Sequence, residues 1–412
     1  MYNYSLFSDG AVDCDPPWKK GSCALGPISK RRSVFDEEHE AYRDSFRTFI
    51  ARELQPHYAE FEDNGIVPRS VWTRAGAMGF LCPEVPEEFG GAGIGDFRFN
   101  AVLVEEINAR SMRGFGISVH SDIVIPYLLR LGSQEQKKRW LPGMVAGQSI
   151  AAIAMTEPGA GSDLASIRTT ARLEGTGPDA VYVVNGQKTF ITNGQNADIV
   201  ITAVRTGGDS HRGLTLLMLE RGMPGFERGR KLDKIGIHAQ DTSEMFFTDV
   251  RVPAANVLGD VDGGFGHLVD NLPRERLSIA IGAVAAAEHA LALTIGYVKE
   301  RAAFGATLAD LQNTRFVLAD LATQIRIMRV YVDDCLQRHL IDELDATEAA
   351  MVKLAATELQ VHTADRCVQL HGAYGYMNET EVARMWRDSR PQTIYGGASE
   401  VMKHIIGRAL VR

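Results

Sequence analysis

The sequence predicts a three-part α+β protein in which helices flank a β-rich middle. From residue 35 to about 148, and again after residue 259, apolar side chains recur at helical spacing. Between them the pattern changes to short apolar runs separated by Gly, Asp and Asn, as expected for strands. We therefore expect an irregular arm at 1–34, a helical domain at 35–149, a β-domain at 150–258 and a helical bundle at 259–412.

Each part carries its own local signals. The first helix is predicted from Phe35 onward, and a later one by Ser133 with Gln136 three positions on, a capping-box variant. The run AVYVVNGQKTFITNG predicts two strands joined by a hairpin at Asn185-Gly186. Because no long helix separates the strands, the sheet should be largely antiparallel. Helices are expected at 264–302, 308–340, 346–370 and 379–388, and after Gly397.

Composition and charge are those of an ordinary soluble protein. The 412 residues are 45% hydrophobic and 23% charged, with a formal net charge of −8. Since a nucleic-acid backbone is bound by a basic face, this balance argues against a nucleic-acid partner. No apolar run approaches the roughly 18 residues of a membrane span, so no membrane span is expected.

The cysteines and the N-terminus predict a reducing compartment. The five cysteines are scattered and form no C-x-x-C pair, so neither a disulfide framework nor a metal site is expected. The N-terminus lacks a secretory apolar segment, and its acidic residues are unlike a transit peptide. We expect a bacterial cytoplasm, with the mitochondrial matrix as the alternative. The basic run at 30–32 is interpreted as the solvated end of the arm.

Two stretches of the middle part suggest a ligand with a planar ring. AMTEPGAGSD, from Ala154 to Asp163, is a glycine-rich loop that follows a strand and matches neither the Walker nor the Rossmann pattern. KTFITNG places an aromatic residue, Phe190, two positions before the hydroxyl of Thr192. An aromatic wall beside a short donor suits a ring edged with nitrogens and carbonyls. An ordinary turn and a core phenylalanine are the alternative interpretations.

With RAAFG at 301–305 and QLHGAYGY at 369–376, these motifs resemble the acyl-CoA dehydrogenase family from about Arg32 to the C-terminus. GRKLDKIGIHAQDTSEMFF, LPRERL and IYGGASEVMK make the chain most similar to the long-chain branch. The resemblance implies a helical domain, a β-domain and a C-terminal four-helix bundle. It also implies FAD, an acyl-CoA substrate, electron-transfer flavoprotein as acceptor, and a homotetramer built as a dimer of dimers.

The same resemblance implies where FAD is held. The isoalloxazine ring would lie beside the first half of the glycine-rich loop and the Phe190–Thr192 segment, with Thr192 near flavin N5. The segments after Arg301 and Gln369 would contact the adenosine and pyrophosphate of a neighbouring subunit's FAD. Many members have Thr where this chain has Ala398. The implied cofactor residues are Met155, Thr156, Gly161, Ser162, Phe190, Ile191, Thr192, Arg301, Phe304, Gln312, Gln369, Gly372, Ala373, Ala398, Ser399 and Glu400.

The catalytic base is the point at which this chain departs from many members. These have a glutamate after the tyrosine of the last motif, where this chain has Gly396. The long-chain and isovaleryl branches place the glutamate on an upstream helix, and that position is Glu275 in NLPRERL. A single carboxylate avoids mutual repulsion, and Gly396 keeps an N–H for the thioester oxygen. A surface salt bridge is the alternative interpretation. The implied substrate contacts are Ser162, Pro273, Arg274, Arg276, Gly396 and Gly397.

The resulting hypothesis is an FAD-dependent α,β-dehydrogenation of a long-chain or branched acyl-CoA, within fatty acid β-oxidation. Two alternatives stay open: a flavin monooxygenase of the same fold, and a non-catalytic binding member. Retention of a positioned glutamate favours the dehydrogenase, and the acidic balance argues against binding DNA. His120 and His371 have no nucleophile to pair with, and we expect them to have packing roles.

Overall fold

The computed structural model describes residues 32–208 and 211–411. Most of the arm expected at 1–34 therefore lies outside the described residues. The first part of the chain is helical, as predicted, and Ser133 with Gln136 forms the expected capping box at the start of a helix. Its helices are α1 (Glu37–Phe49), α2 (Tyr58–Asn64), α3 (Arg69–Ala77), α4 (Phe97–Asn108), α5 (Ile125–Leu131) and α6 (Gln134–Val145).

The middle part folds into one sheet of eight strands, arranged in the order β6-β7-β3-β2-β4-β5-β8, with β1 paired to β4. Most neighbours are antiparallel, as predicted, while β1 runs parallel to β4 and β2 touches β4 in parallel at one position. The strands are β1 (Ala151–Ala154), β2 (Thr170–Glu174), β3 (Val181–Thr192), β4 (Ile199–Arg205), β5 (Leu214–Glu220), β6 (Phe226–Lys231), β7 (Thr242–Pro253) and β8 (Val257–Leu258).

The predicted hairpin at Asn185-Gly186 is wrong, because both residues lie inside the continuous strand β3. The register against β7 shifts between Val184 and Gly186, which is a bulge. A Cβ on Gly186 would lie 2.7 Å from the Cα of Thr169. The glycine thus allows a neighbouring backbone to approach closely, and the dipeptide that usually makes a turn here makes a bulge.

The last part is a bundle of long helices, close to the ranges predicted. α7 packs against α9, α8 and α4, and much of its buried face is alanine, which lets neighbouring helices approach closely. A two-stranded ribbon of β9 (Ala302–Ala303) and β10 (Ala306–Thr307) follows α7. The helices are α7 (Gly264–Glu300), α8 (Gln312–Leu340), α9 (Ala346–His371), α10 (Glu381–Ser389) and α11 (Ser399–Leu410).

The sequence was expected to contain no stretch apolar enough to span a membrane, and α7 is an exception to that expectation. Among the described residues it is the one helix that passes by length and composition. However, 67% of its most apolar 18-residue stretch is buried inside the protein. This burial is what the central helix of a bundle shows.

A buried ionic cluster joins the first helices to the bundle and corrects the interpretation of the basic run. Arg32, its one described member, is not a solvated end, because it pairs with Glu105 and Asp333. Glu105, on α4, is 5% exposed and also accepts from Arg43 and Arg329, each at 2.9 Å. Burial would raise the pKa of Glu105, but the three guanidinium groups outweigh it and lower the pKa to about 2.

Candidate active site

The predicted base, Glu275, lies buried near the start of α7. Its side chain is 5% exposed, and two donors converge on the same carboxylate oxygen, Oε1. The Tyr127 hydroxyl donates at 3.1 Å, and Nδ2 of Asn271, one helical turn earlier, donates at 2.9 Å. No described residue donates a hydrogen bond to Oε2. One oxygen is thus held in place while the other is left for a ligand.

The surroundings make this carboxylate a better base than an exposed one. Burial raises the pKa of Glu275, while the hydrogen bonds from Asn271 and Tyr127 and the charge of Arg276 work in the opposite direction. The pKa of Tyr127 lies well above 10, chiefly through burial, so its hydroxyl remains a donor. A carboxylate with a raised pKa that is still held by donors is suited to proton abstraction near neutral pH.

The double-glycine turn lies directly against α7. Gly396 and Gly397 have φ of +64° and +102°, a region that side chains rarely adopt. A Cβ on Gly396 would lie 2.4 Å from Cδ1 of Ile279, one helical turn after Glu275. The structure therefore brings Gly396 and the segment around Glu275 together, as expected. It adds that Ile279 occupies part of the space that a side chain at 396 would need.

Two cationic side chains donate hydrogen bonds to the carbonyls of this turn. Nε of Arg276 donates to the Gly396 carbonyl at 3.4 Å, and Nζ of Lys353, on α9, donates to the Gly397 carbonyl at 2.6 Å. The N–H groups of residues 396–398 have no acceptor among the described residues. In a trans peptide the N–H points away from the preceding carbonyl, so anchoring these carbonyls turns the N–H groups of Gly397 and Ala398 away from the cations.

Three residues of this site were missed by the sequence reasoning: Tyr127, Asn271 and Lys353. Asn271 had a signal, because it precedes Glu275 by four residues and so shares its helix face. Lys353 interrupts an apolar run in α9, which is a signal for a buried charge. Tyr127 had none, since only the packing of α5 on α7 brings it to Glu275.

The glycine-rich loop is fixed to β3 on one side and open on the other. Thr156 donates to the Thr189 carbonyl, and its own carbonyl accepts from the Thr189 N–H at 3.0 Å. Buried Lys188 donates to the Met155 carbonyl at 3.0 Å and pairs with Glu157 at 2.8 Å. Met155 and Thr156 are half-buried, whereas Gly161 and Ser162 are exposed.

Phe190 forms an exposed aromatic wall beside this loop. It is 68% exposed and has φ of +60°, a strained conformation for an aromatic residue. Thr192 is half-buried two positions on, while the side chain of Ile191 is buried in the sheet core, so it offers only its backbone to a ligand. An exposed aromatic residue kept in a strained conformation indicates a functional surface.

A second group of predicted cofactor residues lies at the far end of the bundle. Phe304 is 96% exposed, and a hydrogen bond of 3.2 Å from Tyr297 to the His371 carbonyl joins the ends of α7 and α9 there. From Glu275 to the end of α7 the chain rises roughly 38 Å. The structure separates this group from Glu275. Its exposed members are Arg301, Phe304, Gln312, Gln369, Gly372 and Ala373.

The remaining predicted residues differ in their surroundings. Arg274 is occupied, because its two terminal nitrogens pair with Glu84 at 2.6 and 2.9 Å and its guanidinium lies over the ring of Phe97. Its contact with substrate therefore stays a prediction. Pro273 is half-buried inside α7, directly before Arg274. The residues at 398–400 open α11 immediately after the glycine turn.

The two histidines have the packing roles that were expected. The ring of His120 bridges the Ala151 N–H, at 3.0 Å, and the Met144 carbonyl, at 3.1 Å, and burial lowers its pKa to about 4. The ring of His371 stacks on Tyr297 and bonds to the carbonyl of Cys367, one helical turn earlier.

The open side of the site fits a flavin. The end of β3 offers an exposed aromatic face at Phe190 and a hydroxyl at Thr192, and the glycine turn offers N–H groups with no acceptor among the described residues; each suits a flat ring edged with acceptors. Acyl-CoA dehydrogenase models match residues 36–148, 152–250 and 262–411, as the N-terminal, middle and C-terminal domains respectively. The chain belongs to the acyl-CoA dehydrogenase family, a family of FAD-dependent oxidoreductases.

Individual proteins agree with this assignment. The long-chain specific acyl-CoA dehydrogenase of Sus scrofa is 47% identical over 92% of this chain and 88% of its own. The acyl-CoA dehydrogenase structure from Geobacillus kaustophilus is 48% identical, with a TM-score of 0.89, over 92% of this chain and 100% of that one. A glutaryl-CoA dehydrogenase from Mycobacterium smegmatis, solved in complex with FADH2, is 26% identical with a TM-score of 0.84, over 92% and 95%. The predicted family, three-part fold and FAD are confirmed.

Proposed function

We propose that the protein oxidises an acyl-CoA thioester to the trans-2-enoyl-CoA, with Glu275 as the base. The observation that carries this proposal is the environment of Glu275: a buried carboxylate with both donors on Oε1 and no described donor on Oε2. It lies beside a turn in which Gly396 offers no carboxylate of its own. A buried base with one free oxygen and an adjacent row of N–H donors is the arrangement that enolisation of a thioester requires.

In this mechanism Oε2 of Glu275 removes the α-proton, while Tyr127 and Asn271 hold Oε1 and fix the direction of the carboxylate. The N–H of Gly396 donates to the thioester oxygen as negative charge develops there. FAD, when bound, supplies the acceptor for the β-hydride at N5. Burial of the site keeps water from competing for the base. We further propose that the Phe190–Thr192 segment and the glycine-rich loop contact the flavin ring.

The proposed substrate is a long-chain acyl-CoA, with a branched acyl-CoA as the second candidate. The identity of 47% with the long-chain specific enzyme of Sus scrofa supports the first. A dye-coupled assay on straight and branched acyl-CoAs of increasing length tests this choice. Highest kcat/KM with a short branched thioester would contradict it. We propose fatty acid β-oxidation as its pathway, which the same chemistry supports, and the bacterial relative supports a cytoplasmic location.

The proposed electron acceptor is electron-transfer flavoprotein. A monooxygenase of the same fold would need oxygen to react with reduced flavin, and the positioned base at Glu275 favours the dehydrogenase instead. The two differ in an oxygen electrode. A dehydrogenase reduced by acyl-CoA should consume oxygen slowly and pass electrons rapidly to added electron-transfer flavoprotein. Rapid oxygen uptake with no acceleration by the acceptor would favour the monooxygenase.

The proposed assembly is a homotetramer, arranged as a dimer of dimers. Phe316, Ile327 and Val330 are each more than half exposed on α8, and such an apolar face is covered in most proteins. The separation of about 38 Å between Glu275 and the end of α7 supports contacts from Arg301 and Phe304 to a neighbour's FAD. Ile327→Glu should therefore reduce both the sedimentation coefficient and the FAD content. A monomeric wild type that retains FAD would contradict the assembly.

Glu275→Gln mixed anaerobically with acyl-CoA tests the base. The variant should keep FAD and bind the thioester, but bleaching of the flavin should slow by at least about 1,000-fold. Glu60→Gln, a change of the same kind at an exposed glutamate of α2, is the control and should bleach at the wild-type rate. Rapid bleaching of Glu275→Gln would overturn the assignment.

A further inference from the structure

Lys353 is a buried cation to which the proposed mechanism assigns no role. Its side chain is fully buried in α9, and its one described hydrogen bond is the 2.6 Å contact with the Gly397 carbonyl. It forms no ion pair with a described carboxylate. An ammonium without a carboxylate in a protein interior costs several kcal/mol, so its retention calls for a reason.

Lys188 is a useful contrast, because it also anchors a carbonyl of a cofactor-facing segment. It donates to the Met155 carbonyl at 3.0 Å, but it is neutralised by Glu157 at 2.8 Å. Anchoring a carbonyl is therefore compatible with a paired lysine. What distinguishes Lys353 is its uncompensated positive charge.

The charge of Lys353 lies close to the place where negative charge forms. Its Cε is 3.9 Å from the position that a Cβ on Gly396 would take. The Arg276 guanidinium lies on the same side, bonded to the Gly396 carbonyl, and it too lacks a described ion pair. Two cations therefore lie against the turn that carries Gly396. Each polarises a peptide of the turn, and its charge also acts through space on the neighbouring N–H of Gly396, which donates to the thioester oxygen.

We propose that Lys353 is a positioning residue of the dehydrogenation, whose charge beside Gly396 stabilises the enolate that forms when Glu275 removes the α-proton. In this step the α C–H bond breaks, the proton passes to the Glu275 carboxylate, and the electron pair spreads onto the thioester oxygen. The inference rests on the proposed function, because it needs Glu275 to be the base. It assigns to α9 a part in the chemistry that α7 and the glycine turn were expected to perform alone.

The groups around Lys353 set its charge. Burial, followed by the charge of Arg276, lowers the pKa of Lys353 to about 8, while Glu358 on the same helix raises it. Glu358 is half-exposed and pairs with Lys403 of α11 at 3.4 Å. On α7, Arg276 is the charged neighbour. Lys353 is thus largely charged at pH 7 and loses its charge on the alkaline side.

The test uses a 3-oxoacyl-CoA, which has an acidic α-carbon and can be ionised without any electron reaching the flavin. Bound to the FAD-loaded enzyme at saturation, it gives an enolate whose absorbance is followed against pH. The midpoint belongs to Glu275 and the ligand together. Lys353→Gln keeps a donor for the Gly397 carbonyl but removes the charge, and Lys353→Arg keeps both. Lys353→Gln should raise the midpoint by about one pH unit, and Lys353→Arg should leave it near the wild-type value.

The control is Lys138→Gln, which removes an exposed positive charge on α6 and should leave the midpoint unchanged. If Lys353 only supports the turn, Lys353→Gln would lose FAD or melt earlier but ionise the ligand at the wild-type midpoint, and the inference would be wrong. If the wild type itself formed no enolate, the proposed function would fail first. Because Lys353→Gln and Lys353→Arg both keep a donor for the Gly397 carbonyl, their comparison separates the charge of Lys353 from its hydrogen bond.

Discussion

The Tyr127 hydroxyl donates to Oε1 of Glu275 at 3.1 Å across 148 residues of sequence. α5 and α7 come together at this contact, and with Asn271 it commits one carboxylate oxygen to the protein. The other oxygen is left to act on a ligand. In the proposed mechanism the rate of the reaction therefore depends on the hydrogen bonds from Tyr127 and Asn271 as well as on Glu275 itself.

Tyr127→Phe should shift the pH profile more than it lowers the maximum rate. The hydroxyl lowers the pKa of Glu275, so its removal raises that pKa and leaves less carboxylate at acid pH. We expect kcat/KM to fall about tenfold on the acid side of the profile and much less on the plateau. Tyr42→Phe, which removes a hydroxyl bonded to the Gly79 carbonyl, is the matched control. An equal loss at every pH would contradict the explanation.

Glu275→Gln should stabilise the fold while it inactivates the enzyme. Burial raises the pKa of Glu275 in the folded state, so the unfolded chain ionises first as pH rises. Folded stability is therefore lost between the ordinary pKa near 4.5 and the raised one, and glutamine does not pay this cost. The melting temperature should exceed that of the wild type by about 2 °C at pH 8, and the gain should shrink towards pH 4.5. A constant difference across that range would exclude this linkage.

Gly396→Ala should lower stability and activity together. The residue has φ of +64°, and its Cβ would lie 2.4 Å from Ile279 Cδ1. We expect a loss of about 1–2 kcal/mol in the free energy of unfolding, measured by urea. Ile279→Val should recover the steric part only. Gly407→Ala, in α11 with open space around it, is the control and should be neutral or stabilising.

The contact between residue 396 and Ile279 also limits whether a glutamate at 396 could replace Glu275 as the base. Gly396→Glu in a Glu275→Gly background would supply a carboxylate from the glycine turn instead of from α7. The structure indicates that Ile279 must be shortened as well, because it fills the space that the new side chain would cross. The triple variant with Ile279→Ala should regain measurable flavin bleaching, and the double variant should regain less. Equal activity of the two would mean that Ile279 moves aside without cost.

Glu105→Gln should strongly destabilise the protein at neutral pH. Its carboxylate holds Arg32, Arg43 and Arg329, and removing one partner of a buried ion pair costs about 3–5 kcal/mol. Because its pKa is lowered to about 2, the stability that it contributes is present above pH 4.5 and is lost as pH falls towards 2. Urea unfolding at pH 7 and pH 4 should show a smaller difference at pH 4. Glu40→Gln, a half-exposed partner of Arg43, should cost less than about 1 kcal/mol.

Much of the architecture could be read locally. Helical periodicity gave the bundle to within a few residues, since α8, α9 and α10 lie close to the predicted ranges. The failure at Asn185-Gly186 has a physical cause: a local turn signal was outweighed by pairing of the whole strand with β7. The apolar stretch of α7 was underestimated because single polar residues interrupt it, although its average composition is that of a membrane span.

By itself, the sequence determined the family and the three-part fold and singled out Glu275 as the proposed base, because motifs and periodicity are local properties that survive without coordinates. Only the tertiary structure decided which donors hold that carboxylate and which cations bind the carbonyls of the glycine turn. Tyr127, Glu275, Gly397 and Lys353 come from separate elements, and which atoms meet depends on how those helices pack. Burial, and with it the raised pKa of the base and the uncompensated lysine charge, is a property of the packed whole rather than of any segment.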